Sequence, residues 1–238
     1  MNNETFRPLE AAAAMRRLLA DPEQTEEAFT IVRAIDNGGI DRLYRRFQST
    51  EAGRRLLRER PSLLAHIQDA DALAAMPAGS LGRAYFDFCQ REGLVPGGLI
   101  DASLHEDRAL LDADRLFVAD RMRDSHDLFH VVLGCRTDLA GELGVLAFTT
   151  AQTGSLGTGF LVAAGFAHTF TLPDSGGPGR RMVREMLARG RRAEWFPTAD
   201  WEALLLRPLD EVRVELGITS VPVYRPFYKA DRDAALAA

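Results

Sequence analysis

Two histidines and an aspartate in one short segment have the residue types and the spacing needed to bind a metal ion. His126 and His130 are four positions apart, so on a helix they lie on one face, one turn from each other. A single helix usually presents two imidazoles to one ion with this spacing. Asp127 lies about 100° further round, where it can bind the same ion from the side or orient one of its ligands.

A fourth candidate ligand, Glu142, follows after a predicted turn. Gly134 is typical of a helix end, and Thr137 and Asp138 are typical of a helix start. In an antiparallel helical hairpin with its turn midway between them, His130 and Glu142 would stand at the same height. In one continuous helix the same separation would span about 18 Å, which is too far for ligands of one ion.

We therefore predict that His126, Asp127, His130 and Glu142 form a metal site and are also the catalytic residues. This ligand set suits Zn²⁺, and also Fe²⁺, Mn²⁺ or Mg²⁺. An open coordination position would admit water or substrate, and a carboxylate outside the ligand set could move protons. The competing interpretation is that these polar residues belong to an ordinary solvated helix surface.

Composition favours one soluble, all-α domain. The chain has 238 residues, of which 46% are hydrophobic and 26% charged, and no linker-like segment divides it. Strand patterns are weak, whereas helix caps and stops are frequent. We predict a single-domain multi-helix bundle over 1–238, with a helical N-terminal part (1–75) and a core (77–218) that carries the metal-binding hairpin. The net charge of −5 argues against nucleic acid as a partner, because nucleic-acid binding depends on a basic surface.

The cysteine content and the N-terminal residues indicate the cellular compartment of the protein. The two cysteines, Cys89 and Cys135, cannot form a disulfide framework, so we expect a reducing compartment and no metal-ligating role for Cys135. The first ten residues lack the basic and apolar regions of a signal peptide, and Glu4 and Glu10 argue against a transit peptide. The sequence therefore predicts a bacterial cytoplasmic protein.

A long segment from Leu143 to Pro173 contains no Asp, Glu, Lys or Arg. Its polar residues and its central glycines favour two buried helices separated by a turn over a membrane span. We expect it to form the central core, with His168 as a core residue, and it could also line an apolar ligand groove. Its small residues leave space for a lipid or for close helix packing, and packing is the more common cause; they are Gly157, Gly159, Ala163, Ala164 and Gly165.

Further helices are predicted before and after these segments in the sequence. A long helix is predicted from about Asp112 to Leu133, and a turn is predicted at 96–98. An arginine-rich helix is predicted over Gly179–Arg192, which faces an anionic membrane surface or a substrate carboxylate, or is a solvated helix face. His66 and His105 lie in polar surroundings and are expected at the surface.

The complete motif, His126-Asp127-x-x-His130 followed by eleven residues and Glu142, resembles the signature of the Coq-four family of ubiquinone biosynthesis proteins. Two flanking segments also resemble that family. One runs from Pro77 to Tyr85, and the other comprises Asp200-Trp201-Glu202 with the stretch from Pro208 to Arg213. The resemblance extends from about Pro77 to Ile218.

This resemblance implies an α-helical protein that binds zinc or a similar divalent ion and a polyprenylated benzoquinone precursor. The implied activity is oxidative decarboxylation, in which the carboxylate on ring carbon one is replaced by a hydroxyl group. The implied partners are other ubiquinone-synthesis proteins and a membrane surface, here the bacterial inner membrane, to which the protein would bind peripherally. A second copy of the chain, in a homodimer, is a further partner that we consider.

Two alternatives remain at this level. The protein could be a non-catalytic scaffold that binds prenyl lipid and organises ubiquinone-synthesis enzymes, with the ion only holding the hairpin together. The adjacent His126 and Asp127 also occur in HD-type phosphohydrolases. Those enzymes need a separate upstream histidine and a distant downstream aspartate, whereas here the second histidine lies on the same helix as the first, so this alternative ranks low.

Overall fold

The all-α class is confirmed by the computed structural model, in which 73% of the described residues are helical. It describes residues 6–22, 24–36, 38–95, 111–171 and 176–237. In these ranges no strand is formed, and the bridge between Ser80 and Pro208 is isolated. None of the helices in these ranges combines the length and the hydropathy needed to cross a membrane. The predicted turn at 96–98 and His105 lie outside the described residues.

The helices follow one another along the chain with short connections. The described helices of the N-terminal part are α1 (Pro8–Ala20), α2 (Thr25–Ile35), α3 (Gly39–Ser49), α4 (Glu51–Glu59), α5 (Leu63–Ile67), α6 (Ala70–Ala75) and α7 (Leu81–Glu92). The later ones are α8 (Ala113–Asp124), α9 (His126–Leu133), α10 (Leu139–Thr153), α11 (Leu156–His168), α12 (Gly176–Arg192), a 3₁₀ turn (Phe196–Thr198), α13 (Trp201–Leu204), α14 (Leu209–Glu215) and α15 (Lys229–Ala237).

The single helix predicted from Asp112 to Leu133 is wrong, because Ser125 divides it into α8 and α9. Asp112 does cap the start, where its side chain accepts a hydrogen bond of 2.9 Å from the backbone N–H of Arg115. At Ser125 the backbone opens to ψ −7, and the serine hydroxyl lies 3.4 Å from the carbonyl oxygen of Met122. Serine side chains that bond to nearby backbone groups compete with the helix in this way. The histidine-bearing helix α9 begins directly after this break.

The chain folds into two compact units. Unit 1 comprises 1–37, 134–192 and 220–238, and unit 2 comprises 38–133 and 193–219. The predicted division into an N-terminal part and a core within one domain stays a prediction.

In unit 1 the uncharged segment forms two helices, as predicted. Gly154, with φ +66, ends α10, and the Ser155 hydroxyl caps α11 by accepting from the backbone N–H of Thr158. An apolar cluster joins α11 to α1 and α2; its members are Ala14, Met15, Ile31 and Leu161. Residues 172–175, including Pro173, lie outside the described ranges.

In unit 2 the two flanking segments of the family resemblance are joined by a backbone hydrogen bond. The N–H group of Leu209, in the second segment, donates to the carbonyl of Gly79, in the first, at 2.9 Å. Near them, Trp201 is fully buried against the rings of Phe129 and Phe196. Phe129 belongs to α9 and lies between the two histidines in sequence, so this aromatic cluster packs against the helix that carries them.

Candidate metal centre

His126 and His130 lie side by side on α9. Their ring centroids are 4.9 Å apart, with an angle of 59° between the ring planes. His130 is fully buried, whereas the side chain of His126 is 27% exposed. The ring of Phe88 on α7 stacks on His130 at a centroid distance of 5.8 Å. One imidazole is therefore held in the interior of unit 2, and the other reaches solvent.

Asp127 lies next to the ring of His126. Its Oδ1 atom is 3.3 Å from Nδ1 of His126. With the proton on Nδ1, the imidazole donates to the carboxylate and leaves Nε2 as the ligand nitrogen, which is the usual role of a carboxylate behind a metal-bound histidine. This geometry favours the orienting role of Asp127, and its role as a direct ligand stays a prediction.

Glu142 lies in the first turn of α10. Its backbone N–H donates to the carbonyl of Asp138 at 2.9 Å, and the Asp138 side chain caps the helix through the N–H of Ala140 at 3.1 Å. This confirms the predicted helix start at Asp138. The helix N-terminus stabilises the negative charge of Glu142, because the partial positive charge of the helix dipole is located there.

Three of the four predicted site residues belong to a group that could hold a metal ion. His126, His130 and Glu142 each offer one ligand atom, and these atoms all lie within 4.8 Å of one another. A tetrahedral zinc ion with bonds of about 2.0–2.1 Å keeps its ligand atoms about 3.3 Å apart. Two imidazoles and a carboxylate fit a divalent ion of this kind.

The segment between the two ligand-bearing helices contains the predicted helix stop and start. Gly134 follows α9 with φ +69, and a Cβ atom at this position would lie 2.7 Å from the Cβ of Val221. Both the left-handed backbone and the close approach of Val221 therefore require glycine. That α9 and α10 form an antiparallel metal-binding hairpin stays a prediction.

The two cysteines are both buried and free. Burial raises the pKa of Cys89 to about 11 and, together with the charge of Asp138, raises the pKa of Cys135 to about 12. Neither belongs to the group of described residues that could hold a metal ion, and the absence of a metal-ligating role for Cys135 stays a prediction.

The other histidines that are described lie apart from this group. His66 is exposed, as expected, and its Nδ1 atom is 2.9 Å from the carbonyl oxygen of Ser62. His168 was expected in the core but is only half-buried at the end of α11, with Nδ1 3.2 Å from the hydroxyl of Thr171.

The arginine-rich helix α12 makes several contacts within unit 1. Arg180 lies over the ring of Phe170 at 4.5 Å, and Arg184 lies over that of Phe166 at 5.8 Å. Phe170 is 66% exposed, so this cationic and aromatic surface reaches solvent. A membrane-facing role for it stays a prediction.

Two residues that sequence reasoning did not assign to the site position its helices. Arg213 on α14 donates to backbone carbonyls at the end of α9, and the hydroxyl of Tyr224 donates to Asp138 at the start of α10. Each is more than 80 residues away in sequence from its partner. No local pattern could have revealed either contact.

Unit 1 also contains a surface cavity of about 650 Å³ along the uncharged segment. Its lining is mostly apolar and includes Phe6, Ile35, Thr150, Gly154, Ser155, Leu156, Gly159 and Phe160.

The sequence offered two explanations for the small residues of this segment, which are close helix packing and space for a lipid. The glycines of the segment differ in which explanation fits them. A Cβ at Gly157 would lie 2.5 Å from the Cα of Val32, so this glycine allows close helix packing. Gly159 borders the cavity instead.

Comparison with known proteins gives consistent matches. The family model of the coenzyme Q (ubiquinone) biosynthesis protein Coq4 matches residues 7–222. The mitochondrial ubiquinone biosynthesis protein coq-4 of Neurospora crassa is 31% identical over 196 residues, covering 82% of this chain and 54% of that protein. The mitochondrial ubiquinone biosynthesis protein of Yarrowia lipolytica is 32% identical over 183 residues, covering 74% of this chain and 65% of that protein. The chain thus spans between half and two thirds of the length of these relatives.

A solved structure shares the fold. A protein from Nostoc punctiforme superposes with a TM-score of 0.67 at 23% sequence identity, covering 91% of this chain and all of that one.

The predicted location in the bacterial cytoplasm, peripheral to the inner membrane, is wrong. The similar curated proteins of Neurospora crassa, Yarrowia lipolytica and Pyricularia oryzae are named as mitochondrial. The prediction depended on composition and on two cysteines without a disulfide framework. These features report a redox environment and do not identify an organism or an organelle.

Proposed function

The chain belongs to the Coq4 family of ubiquinone biosynthesis proteins, and on this basis we propose that it catalyses the metal-dependent oxidative decarboxylation of a polyprenylated hydroxybenzoate. The carboxylate on ring carbon one is replaced by a hydroxyl group. The observation that carries this proposal is the group of ligand atoms from His126, His130 and Glu142 within 4.8 Å. The family membership supports the pathway, and this donor set supports a metal-dependent reaction.

A divalent ion held by these residues would bind the carboxylate or the phenolate of the substrate and stabilise negative charge as CO₂ is lost. Asp127 would orient His126 through the contact at 3.3 Å. If Asp127 or Glu142 is not a metal ligand, its carboxylate would move protons during the reaction. The net change removes two electrons from the substrate. With O₂ as the acceptor and water as the source of the hydroxyl oxygen, the balanced products are the phenol, CO₂ and H₂O₂.

The cavity of unit 1 supports the substrate class. An isoprenoid tail is apolar and needs an apolar groove, and the volume of about 650 Å³ falls within the range of about 300–1,000 Å³ that is usual for small-molecule sites. Leu156 and Phe160, which line it, are 59% and 38% exposed. Exposed apolar side chains of this size around a cavity are typical of a binding surface.

The second candidate function is a non-catalytic scaffold that binds prenyl lipid and organises other ubiquinone-synthesis proteins. In this function the protein would act at a membrane surface and as a homodimer. The same cavity favours it, because lipid binding there needs no metal chemistry. In this case the ion would only hold the ligand-bearing helices together.

Turnover distinguishes the two functions. Purified protein supplied with Zn²⁺ or Fe²⁺, O₂ and the prenylated acid should release CO₂ and form the hydroxylated product, measured by mass spectrometry. His130→Ala should abolish this activity while circular dichroism shows a folded protein. His66→Ala is the matched control, because His66 is an exposed histidine outside the site. It should retain activity.

The scaffold function would be supported if the wild-type protein binds the prenylated acid without converting it. Prior dialysis against a chelator separates the roles of the ion. Loss of turnover with an unchanged melting temperature indicates a catalytic ion, and a large fall in melting temperature indicates a structural one.

A further inference from the structure

We propose that Arg213 is a positioning residue of the metal centre, which fixes the end of helix α9 and thereby the orientation of His130. The inference rests on the metal site of the proposed function. Arg213 lies on α14, in the segment of the chain that follows the aromatic cluster around Trp201. It is 83 residues from His130 in sequence.

The guanidinium of Arg213 binds two successive carbonyl groups at the end of α9. Its Nε atom donates to the carbonyl oxygen of Val132 at 3.0 Å, and its Nη2 atom donates to that of Val131 at 3.1 Å. The last four carbonyl groups of a helix have no partner within the helix. Arg213 supplies partners for two of them, and its positive charge acts favourably on the negative end of the helix dipole.

These two carbonyl groups lie in the interior. Val132 is completely buried and Val131 is 7% exposed. Water therefore cannot replace Arg213 without an opening of the structure, and an unpaired buried carbonyl is costly. In a variant without this side chain, the last turn of α9 would be the part that loosens. His130 precedes Val131 directly and belongs to that turn, whereas His126 lies at the opposite end of the helix.

The type of the side chain matters. The planar guanidinium donates from Nε and Nη2 in a fixed fork, which matches two adjacent acceptors. A lysine ammonium is a single donor centre on a flexible stem, so Arg213→Lys should restore part of the function and Arg213→Ala none. The third contact of Arg213, from Nη1 to Asp210 at 3.2 Å, involves an aspartate that is 94% exposed, so it contributes little to holding α9.

The test is a titration of the full-length, metal-free protein with Co²⁺, followed by the visible absorption of the bound ion. Arg213→Ala should bind Co²⁺ about 10- to 100-fold more weakly than the wild-type protein, as is typical when a group that orients a metal ligand is removed. Its absorption band should change, because a misplaced imidazole alters the ligand field. Arg213→Lys should give intermediate values. Arg207→Ala is the control, since Arg207 is an exposed arginine that pairs with Glu211 and Glu215.

The absorption band and the affinity separate positioning from general stability. If Arg213→Ala lowers the melting temperature but binds Co²⁺ with the wild-type affinity and spectrum, the inference is wrong and Arg213 is purely structural. Should the alanine variant not fold, the same comparison with Arg213→Lys decides the question. If the wild-type protein itself binds no Co²⁺, both the metal centre assumed in the proposed function and the role of Arg213 in positioning it are disproved.

Discussion

The hydroxyl of Tyr224 donates a hydrogen bond of 2.7 Å to the carboxylate of Asp138, 86 residues away in sequence. The same carboxylate accepts from the backbone N–H of Phe227 at 2.9 Å and caps α10, which carries Glu142. Burial raises the pKa of Asp138, and the hydrogen bond from Tyr224 acts in the opposite direction. An extended C-terminal segment thus fixes the start of a ligand-bearing helix within unit 1.

Tyr224→Phe should lower the free energy of unfolding by about 1–3 kcal/mol, because it leaves a buried carboxylate oxygen of Asp138 without its donor. Urea denaturation followed by circular dichroism measures the change. Val223→Ala is the neighbouring control, since Val223 is fully exposed and should change stability by less than about 0.5 kcal/mol. An unchanged stability of Tyr224→Phe would show that the hydrogen bond does not hold the helix start.

Glu202→Gln should lower stability by about 3–5 kcal/mol, because it removes the charge opposite a buried arginine. Arg121 is 2% exposed and binds both carboxylate oxygens of Glu202, at 2.8 and 2.9 Å. Guanidinium chloride denaturation tests this, with Glu215→Gln as the control at an exposed ion pair. Equal, small losses in the two variants would contradict the expected role of the buried pair.

Gly157→Ala and Gly159→Ala should differ in the sign of their effect. A Cβ at Gly157 would meet the Cα of Val32 at 2.5 Å, so the helices must separate, at a cost of about 1–3 kcal/mol. At Gly159 the nearest atom is Cγ2 of Thr150 at 3.5 Å, an ordinary contact, and alanine should stabilise α11 by about 0.5–1 kcal/mol. Chemical denaturation of both variants measures the difference. Destabilisation of both by the same amount would contradict the distinction between packing and cavity glycines.

The stability of the protein should fall as the pH is lowered below about 6.5, in part because of His168. Burial, and secondly the charge of Arg232, lowers the pKa of His168 in the folded state. The unfolded chain therefore binds the proton more readily, so this contribution is complete above the unfolded pKa and is lost as the pH falls toward the folded one.

Melting temperatures between pH 8 and 5 measure this dependence, and His168→Gln should make it shallower. His66→Gln changes an exposed histidine in the same way and should leave the slope as in the wild-type protein. A slope that is identical in all three proteins would assign the pH dependence to other groups.

Local signals in the sequence predicted the local structure correctly. The spacing of His126 and His130, the stop at Gly134 and the cap at Asp138 depend on backbone conformations that neighbouring residues determine, and all of them can be recognised without knowing the rest of the chain. The same is true of the two helices on either side of Gly154. The failure at Ser125 is the exception, since a serine within a helical pattern gives only a weak signal of a break.

Tertiary structure alone decided which distant groups support these elements. Arg213 binds the end of α9, Tyr224 binds the cap of α10, and Val32 packs against Gly157, and all three contacts join residues more than 80 positions apart. Such contacts depend on how helices pack, which is set by the shape of many side chains at once and not by a repeated spacing. The candidate ligands could therefore be predicted from the sequence, whereas the distant residues that contact their helices could not.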